Sequence, residues 1–124
     1  MCLILVVDDI EDNVDVLQTL LQSEGYAVET AASGWAALRK LKAIQPDLVL
    51  LDVMMPDMTG YEVMQRIRDN ESFATIPIVI VTAYTDISET EALAMGANGF
   101  IRKPIDYNQL LTTVKVLCES QKSK

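Results

Sequence analysis

Hydrophobic residues recur along this chain in two patterns. Leu3–Val7, Leu48–Leu51 and Ile78–Val81 are unbroken apolar runs dominated by Val, Ile and Leu, which is how strands read when both faces of their sheet are covered. Tyr26–Ala31 instead interleaves Glu29 and Thr30 with apolar residues, and Gly99–Arg102 is very short. Both of these suit the edges of a sheet. Between the strands, helical patterns predict helices over 13–23, 34–43, 60–70, 88–95 and 107–119.

Several of these helices open on readable capping signals. Thr59 with Glu62 makes a capping box, flanked by Met58 and Val63 as a hydrophobic staple; Asp106 with Gln109 repeats the arrangement with Ile105 and Leu110, and Ser88 with Glu91 marks another start. Gly25, Pro46, Pro77 and Gly96 fall between the elements, where helix stops and turns belong. Five alternations of strand and helix require right-handed crossovers and helices on both faces. The expected fold is α/β, a doubly wound five-stranded parallel sheet in the order 2-1-3-4-5. At 124 residues the chain has the size of one domain, expected over 1–120, with a polar tail at 121–124.

Composition removes several classes of function. Half the residues are hydrophobic, 23% are charged and no segment is low in complexity, so the chain should fold alone. A net charge of -8 disfavours direct contact with nucleic acid, whose phosphates are held by clustered Lys and Arg. The apolar run Met1–Val7 ends at two aspartates, has no basic flank and is far too short to span a bilayer; no membrane segment is expected, and the location is read as cytoplasmic. Cys2 and Cys118 show neither metal spacing nor the density of a disulfide framework and read as ordinary thiols of a reducing cytosol. The absence of histidine excludes a His-based triad and any phosphohistidine on this chain.

Candidate chemistry collects where the apolar runs stop. Asp8 and Asp9 follow the first strand, Asp52 ends the third, and Thr82 and Lys103 follow the fourth and fifth. In open α/β sheets ligands bind beyond the carboxyl ends of the strands, at the point where strand order reverses. Taken singly, each residue has a plainer explanation: paired aspartates often serve turns or caps, and a threonine at a strand end is ordinary. Together they place three carboxylates, a hydroxyl and an ammonium on one rim. Oxygen donors without nitrogen or sulfur suit a hard cation that keeps waters, Mg²⁺ above all. A carboxylate beside Mg²⁺ can attack phosphorus, provided other groups neutralise the equatorial oxygens.

These residues carry a resemblance to a known family. Asp8-Asp9, Asp52-Val53-Met54-Met55-Pro56-Asp57-Met58-Thr59-Gly60, Thr82-Ala83 and Lys103-Pro104, in that order and spacing, resemble the receiver domain of bacterial two-component response regulators over essentially the whole chain. The resemblance implies a flavodoxin-like fold with Asp52 as phosphoacceptor and Mg²⁺ held by Asp9, Asp52 and the Met54 backbone carbonyl, Asp8 helping through water. It further implies that Thr82 and Lys103 contact the phosphoryl group, that Lys103-Pro104 is a cis peptide, and that Phe100 is an aromatic switch, where relatives often carry Tyr. Met54 and Tyr84 stand where the family tunes phosphoryl lifetime; an apolar and a bulky residue there should hinder an attacking water.

The partners so implied are a sensor histidine kinase or histidine phosphotransfer protein, and a downstream effector or output domain. A phosphorylation-dependent homodimer through the fourth and fifth helices is a further expectation. The resemblance implies a self-phosphorylating switch, not a turnover enzyme. Two other classes remain on the residues alone. A Mg²⁺-dependent aspartyl-phosphate phosphohydrolase would need a general acid, yet Met54 stands two residues after Asp52 where a second Asp would serve. A phosphorylation-independent interaction module would not need Asp52, Thr82 and Lys103 together.

Overall fold

The computed structural model describes residues 2–83 and 87–122. Strands and helices alternate: β1 (Leu3–Val7), α1 (Glu11–Ser23), β2 (Ala27–Ala31), α2 (Gly34–Ile44), β3 (Leu48–Leu51), α3 (Gly60–Asp69), β4 (Ile78–Thr82), α4 (Glu89–Ala94), β5 (Gly99–Arg102) and α5 (Tyr107–Lys122). The five strands form one parallel sheet in the order β2-β1-β3-β4-β5. Every residue of β3 and β4 is buried, which is why Leu48–Leu51 and Ile78–Val81 could be continuously apolar.

Side chains alternate across a strand, and the core divides accordingly. Leu5, Val7, Val49, Leu51, Ile78 and Ile80 pack with Leu41 of α2, Met64 and Ile67 of α3 and Ala92 of α4. Ile4, Val6, Leu48, Leu50, Val79 and Val81 pack on the other face with Leu17 and Leu21 of α1 and Leu110 and Val114 of α5. Two helices thus cover one face and three the other.

Helix ends follow local chemistry. The side chains of Ser33, Thr59 and Ser88 accept the backbone N–H groups of Ala36, Glu62 and Glu91, opening α2, α3 and α4. At the end of α1 the Tyr26 N–H donates to the Leu21 carbonyl and that of Gly25 to Gln22; this six-to-one and five-to-two closure needs a left-handed residue, supplied by Gly25 at φ 91°. α1 starts two residues before the position expected from sequence. Its N-cap, Ile10, has no capping side chain, and the Ile10 N–H is taken by Asp8 Oδ1 at 2.9 Å instead. α5 runs to Lys122, three residues past its expected end.

At the amino-terminal ends of β4 and β5, Arg68 of α3 closes the fold. Its guanidinium donates to the carbonyls of Gly96, Ala74 and Ile76 and to Asn98 Oδ1 over 2.8–3.1 Å. Asn98 Oδ1 also accepts the Ile78 N–H. Burial lowers the pKa of this arginine from its usual value, and the four acceptor groups compensate for the lost water.

The cysteines correct the sequence reading. Cys2 and Cys118 are not separate thiols but a disulfide, with Cα atoms 5.9 Å apart across 116 residues of sequence. Spacing along the chain carried no sign of it, because the pairing is made by the fold: Cys2 immediately precedes β1, Cys118 lies on α5, and both enter the same apolar cluster. Among the described residues no helix is long and apolar enough to cross a membrane.

Candidate functional site

Strand register assembles the rim. Val7 pairs with Leu51 across β1 and β3, so the residues that follow them, Asp8 and Asp52, are neighbours. The Asp52 N–H donates to the Val7 carbonyl at 3.0 Å and the Asp8 N–H to Ala31 at 3.2 Å. Across β4 and β5, Thr82 pairs with Arg102, and the Lys103 N–H extends the ladder to the Thr82 carbonyl at 2.9 Å. Lys103 is thereby delivered to the same edge, and the Lys103-Pro104 bond is cis.

Asp8, Asp52 and Thr82 are 3%, 5% and 0% exposed, and they are the buried polar side chains among the described residues. Burying charge is costly without compensation, so its concentration at one sheet edge marks a site. One carboxylate oxygen each from Asp8, Asp9 and Asp52 lies within 4.8 Å of the others, with Asp9 exposed. Lys103 Nζ sits 3.1 Å from Asp8 Oδ2 and 3.8 Å from Asp52 Oδ2. Asn13 Nδ2 donates to Asp8 Oδ2 as well, at 3.2 Å. Asp8 therefore starts α1 with one oxygen and serves the rim with the other.

Burial pushes the Asp52 carboxyl up to about 6, with the charge of Asp8 adding to it. Lys103 and the backbone N–H groups of Met54 and Val53 pull the other way and do not cancel the shift. Two buried carboxylates with one ammonium between them are short of positive charge. The donors are oxygens alone, one of them exposed, which fits a hard divalent ion that retains waters.

The backbone of Asp52 is held from below by α3. The Gly60 N–H donates to the Val53 carbonyl at 2.9 Å, and a Cβ on Gly60 would collide with the Asp52 carbonyl oxygen and stand 2.9 Å from Val53 Cα. Glycine is what lets the helix start this close to the strand end.

Residues 4–115 match the family model described as the response regulator receiver domain. The chain belongs to that family. The response regulator PleD of Caulobacter vibrioides is 43% identical over 115 residues, covering 92% of this chain and 25% of PleD. The response regulator SaeR of Staphylococcus epidermidis is 38% identical over 122 residues, covering 97% of this chain and 52% of SaeR. The chain thus spans between a quarter and about half of these curated relatives. A receiver domain protein (CheY-like) from Methanospirillum hungatei superposes with a TM-score of 0.90 at 30% identity, over 99% of this chain and 98% of that one.

In this receiver domain Phe100 is buried at 8% exposure with Ile80, Ile87 and Ala92. The Arg102 guanidinium stands 5.0 Å from its ring centroid and donates to the Ile87 carbonyl at 2.8 Å. The Met54 side chain is 56% exposed beside the rim. Tyr84 lies outside the described residues.

Two positions of this receiver domain escaped the sequence reading. Asp57, in the loop after Asp52, accepts the N–H groups of Gly34 and Trp35 at 3.0 and 2.9 Å and so caps α2 from across the fold. Those N–H groups hold its carboxyl below the usual range. Arg102 is the other, its ring contact invisible in the sequence. An aspartate in a loop rich in turn formers was the only available signal for the first, and it names no partner.

Proposed function

We propose that this receiver domain takes a phosphoryl group from a partner's phosphohistidine onto Asp52, aided by Mg²⁺, and thereby switches a partner-binding surface. The observation carrying the reading is that Asp8, Asp52 and Thr82, the buried polar side chains of the described residues, stand on one rim with Lys103. Asp8, Asp9, Asp52 and the Met54 carbonyl would hold the ion, which would supply the positive charge these carboxylates lack and neutralise phosphoryl oxygens.

The chain's own residues do the rest. Asp52 presents a carboxylate oxygen as nucleophile, raised in basicity by burial and by Asp8. Lys103 exchanges its contact with Asp8 for one with a phosphoryl oxygen, and Thr82 donates its hydroxyl to another. Positioning and charge neutralisation suffice, so the lack of a histidine base is no obstacle. The new charge then draws Thr82 and Lys103 toward Asp52, and Phe100, on β5 beside Ile80 of β4, passes the change to the face of α4, β5 and α5.

On this reading the domain occupies residues 1–120 and works in the cytoplasm. Its partners are a sensor histidine kinase or phosphotransfer protein upstream and an effector or output domain downstream, with homodimerisation through α4 and α5 as one output. Trp35, tied to the loop after Asp52 through Asp57, is the chain's one tryptophan and a built-in reporter. Titrating Mg²⁺, then beryllofluoride, should change its fluorescence saturably, and Asp52→Asn should abolish the second response. A response to neither would overturn the reading.

A further inference from the structure

We propose that Cys2 and Cys118 are a reversible oxidation site that fastens the last turns of α5 to β1. The two residues stand at opposite ends of the chain, yet their Cα atoms lie 5.9 Å apart, inside the range a disulfide spans without backbone movement. Each is 3% exposed, and each is surrounded by the cluster containing Leu21, Leu48, Leu110 and Val114. This face is already closed by apolar packing. A domain of this size buries enough surface to fold without a covalent staple, so the pair can change state while the fold persists.

Position gives the modification a consequence. Cys2 precedes β1 and Asp8 follows it, so the staple lies at the pole of the sheet opposite the carboxylates and leaves their geometry alone. What it restrains is the end of α5. Oxidised, the turn carrying Cys118 is bonded to the first strand; reduced, it is held by packing alone and opens more readily, as helix ends do.

The chemistry is thiol–disulfide exchange with a low-molecular-weight disulfide. One cysteine thiolate attacks a sulfur of the reagent and releases one small thiol, leaving a mixed disulfide. The second thiolate displaces the other small thiol, so one S–S bond breaks in the reagent, one forms in the protein, and both protons end on the released thiols. Both sulfurs are buried, and exchange therefore waits on opening of the α5 end.

The test uses the full chain equilibrated in glutathione buffers of varied ratio, then alkylated under denaturing conditions and weighed intact. Oxidised and reduced forms should interconvert with the ratio, in both directions. The oxidised form should melt about 10 °C higher, and amides of residues 115–119 should exchange roughly tenfold more slowly in it. Cys2→Ser and Cys118→Ser should be indifferent to the ratio, while reduced wild type serves as its own comparison if a variant does not fold. Full alkylation at every ratio would overturn the proposal. So would a disulfide that survives a strongly reducing buffer, or two forms with equal exchange in α5.

Discussion

Lys103 Nζ lies 3.1 Å from Asp8 Oδ2, an ion pair between residues 95 positions apart that closes the rim over Asp52. The ammonium is 3.8 Å from Asp52 itself, so it compensates Asp8 more than the proposed acceptor. That imbalance leaves Asp52 in want of positive charge.

With metal removed by a chelator, Asp52→Asn should stabilise the protein. The Asp52 carboxyl titrates at about 6 in the fold against 3.8 ordinarily, so above pH 6 its charge weighs against the folded state, while below 3.8 it is neutral folded or unfolded. The gain should be on the order of 2 kcal/mol at neutral pH and fade as pH falls from 6 toward 4. Thermal melts of both proteins across that range check it.

Asp57→Ala should show the opposite pH dependence. The Asp57 carboxyl is held below its ordinary value by the Trp35 and Gly34 N–H groups, so its stabilisation is present above that value and lost as pH falls through the lowered one. The variant should melt a few degrees below wild type at pH 7, and the gap should close in acid.

These two residues also show what was legible in the sequence. Asp52 could be found because it ends an apolar run, as could Asp8, Thr82 and Lys103; the sheet order and all five helices followed from periodicity and caps. Asp57 could not, because the helix it caps lies 22 and 23 positions away and local spacing says nothing of a long-range cap. The start of α1 is hidden for a related reason: its N-cap, Ile10, offers no capping side chain, and the Ile10 N–H is held by Asp8 two residues earlier. Cys2–Cys118 and the Arg68 clamp are likewise products of tertiary placement alone.

Gly60→Ala should misplace the acceptor without removing any reacting group. The added methyl meets the backbone of Asp52 and Val53, which cannot rotate away as a side chain would. A cost of about 2 kcal/mol in stability is expected, with Asp52 phosphorylation slowed by roughly tenfold or more. Denaturant melts and phosphorylation time courses measure the two effects separately.

Met54→Asn should shorten the life of the aspartyl phosphate. Met54 is exposed beside the rim, where on the proposed reading its apolar side chain would screen a phosphoryl group from water and an amide would instead orient one. Decay of the acyl phosphate in purified protein should quicken several-fold. Unchanged or slower decay would exclude Met54 from that role.

Asp52 is proposed to accept a phosphoryl group in a site its neighbours complete. The most direct test is the intact mass of the protein after incubation with acetyl phosphate and Mg²⁺. One added phosphoryl group per chain is expected, lost on adding a chelator beforehand and absent in Asp52→Asn. A wild-type chain that stays unmodified, or an Asp52→Asn chain modified equally well, would contradict it.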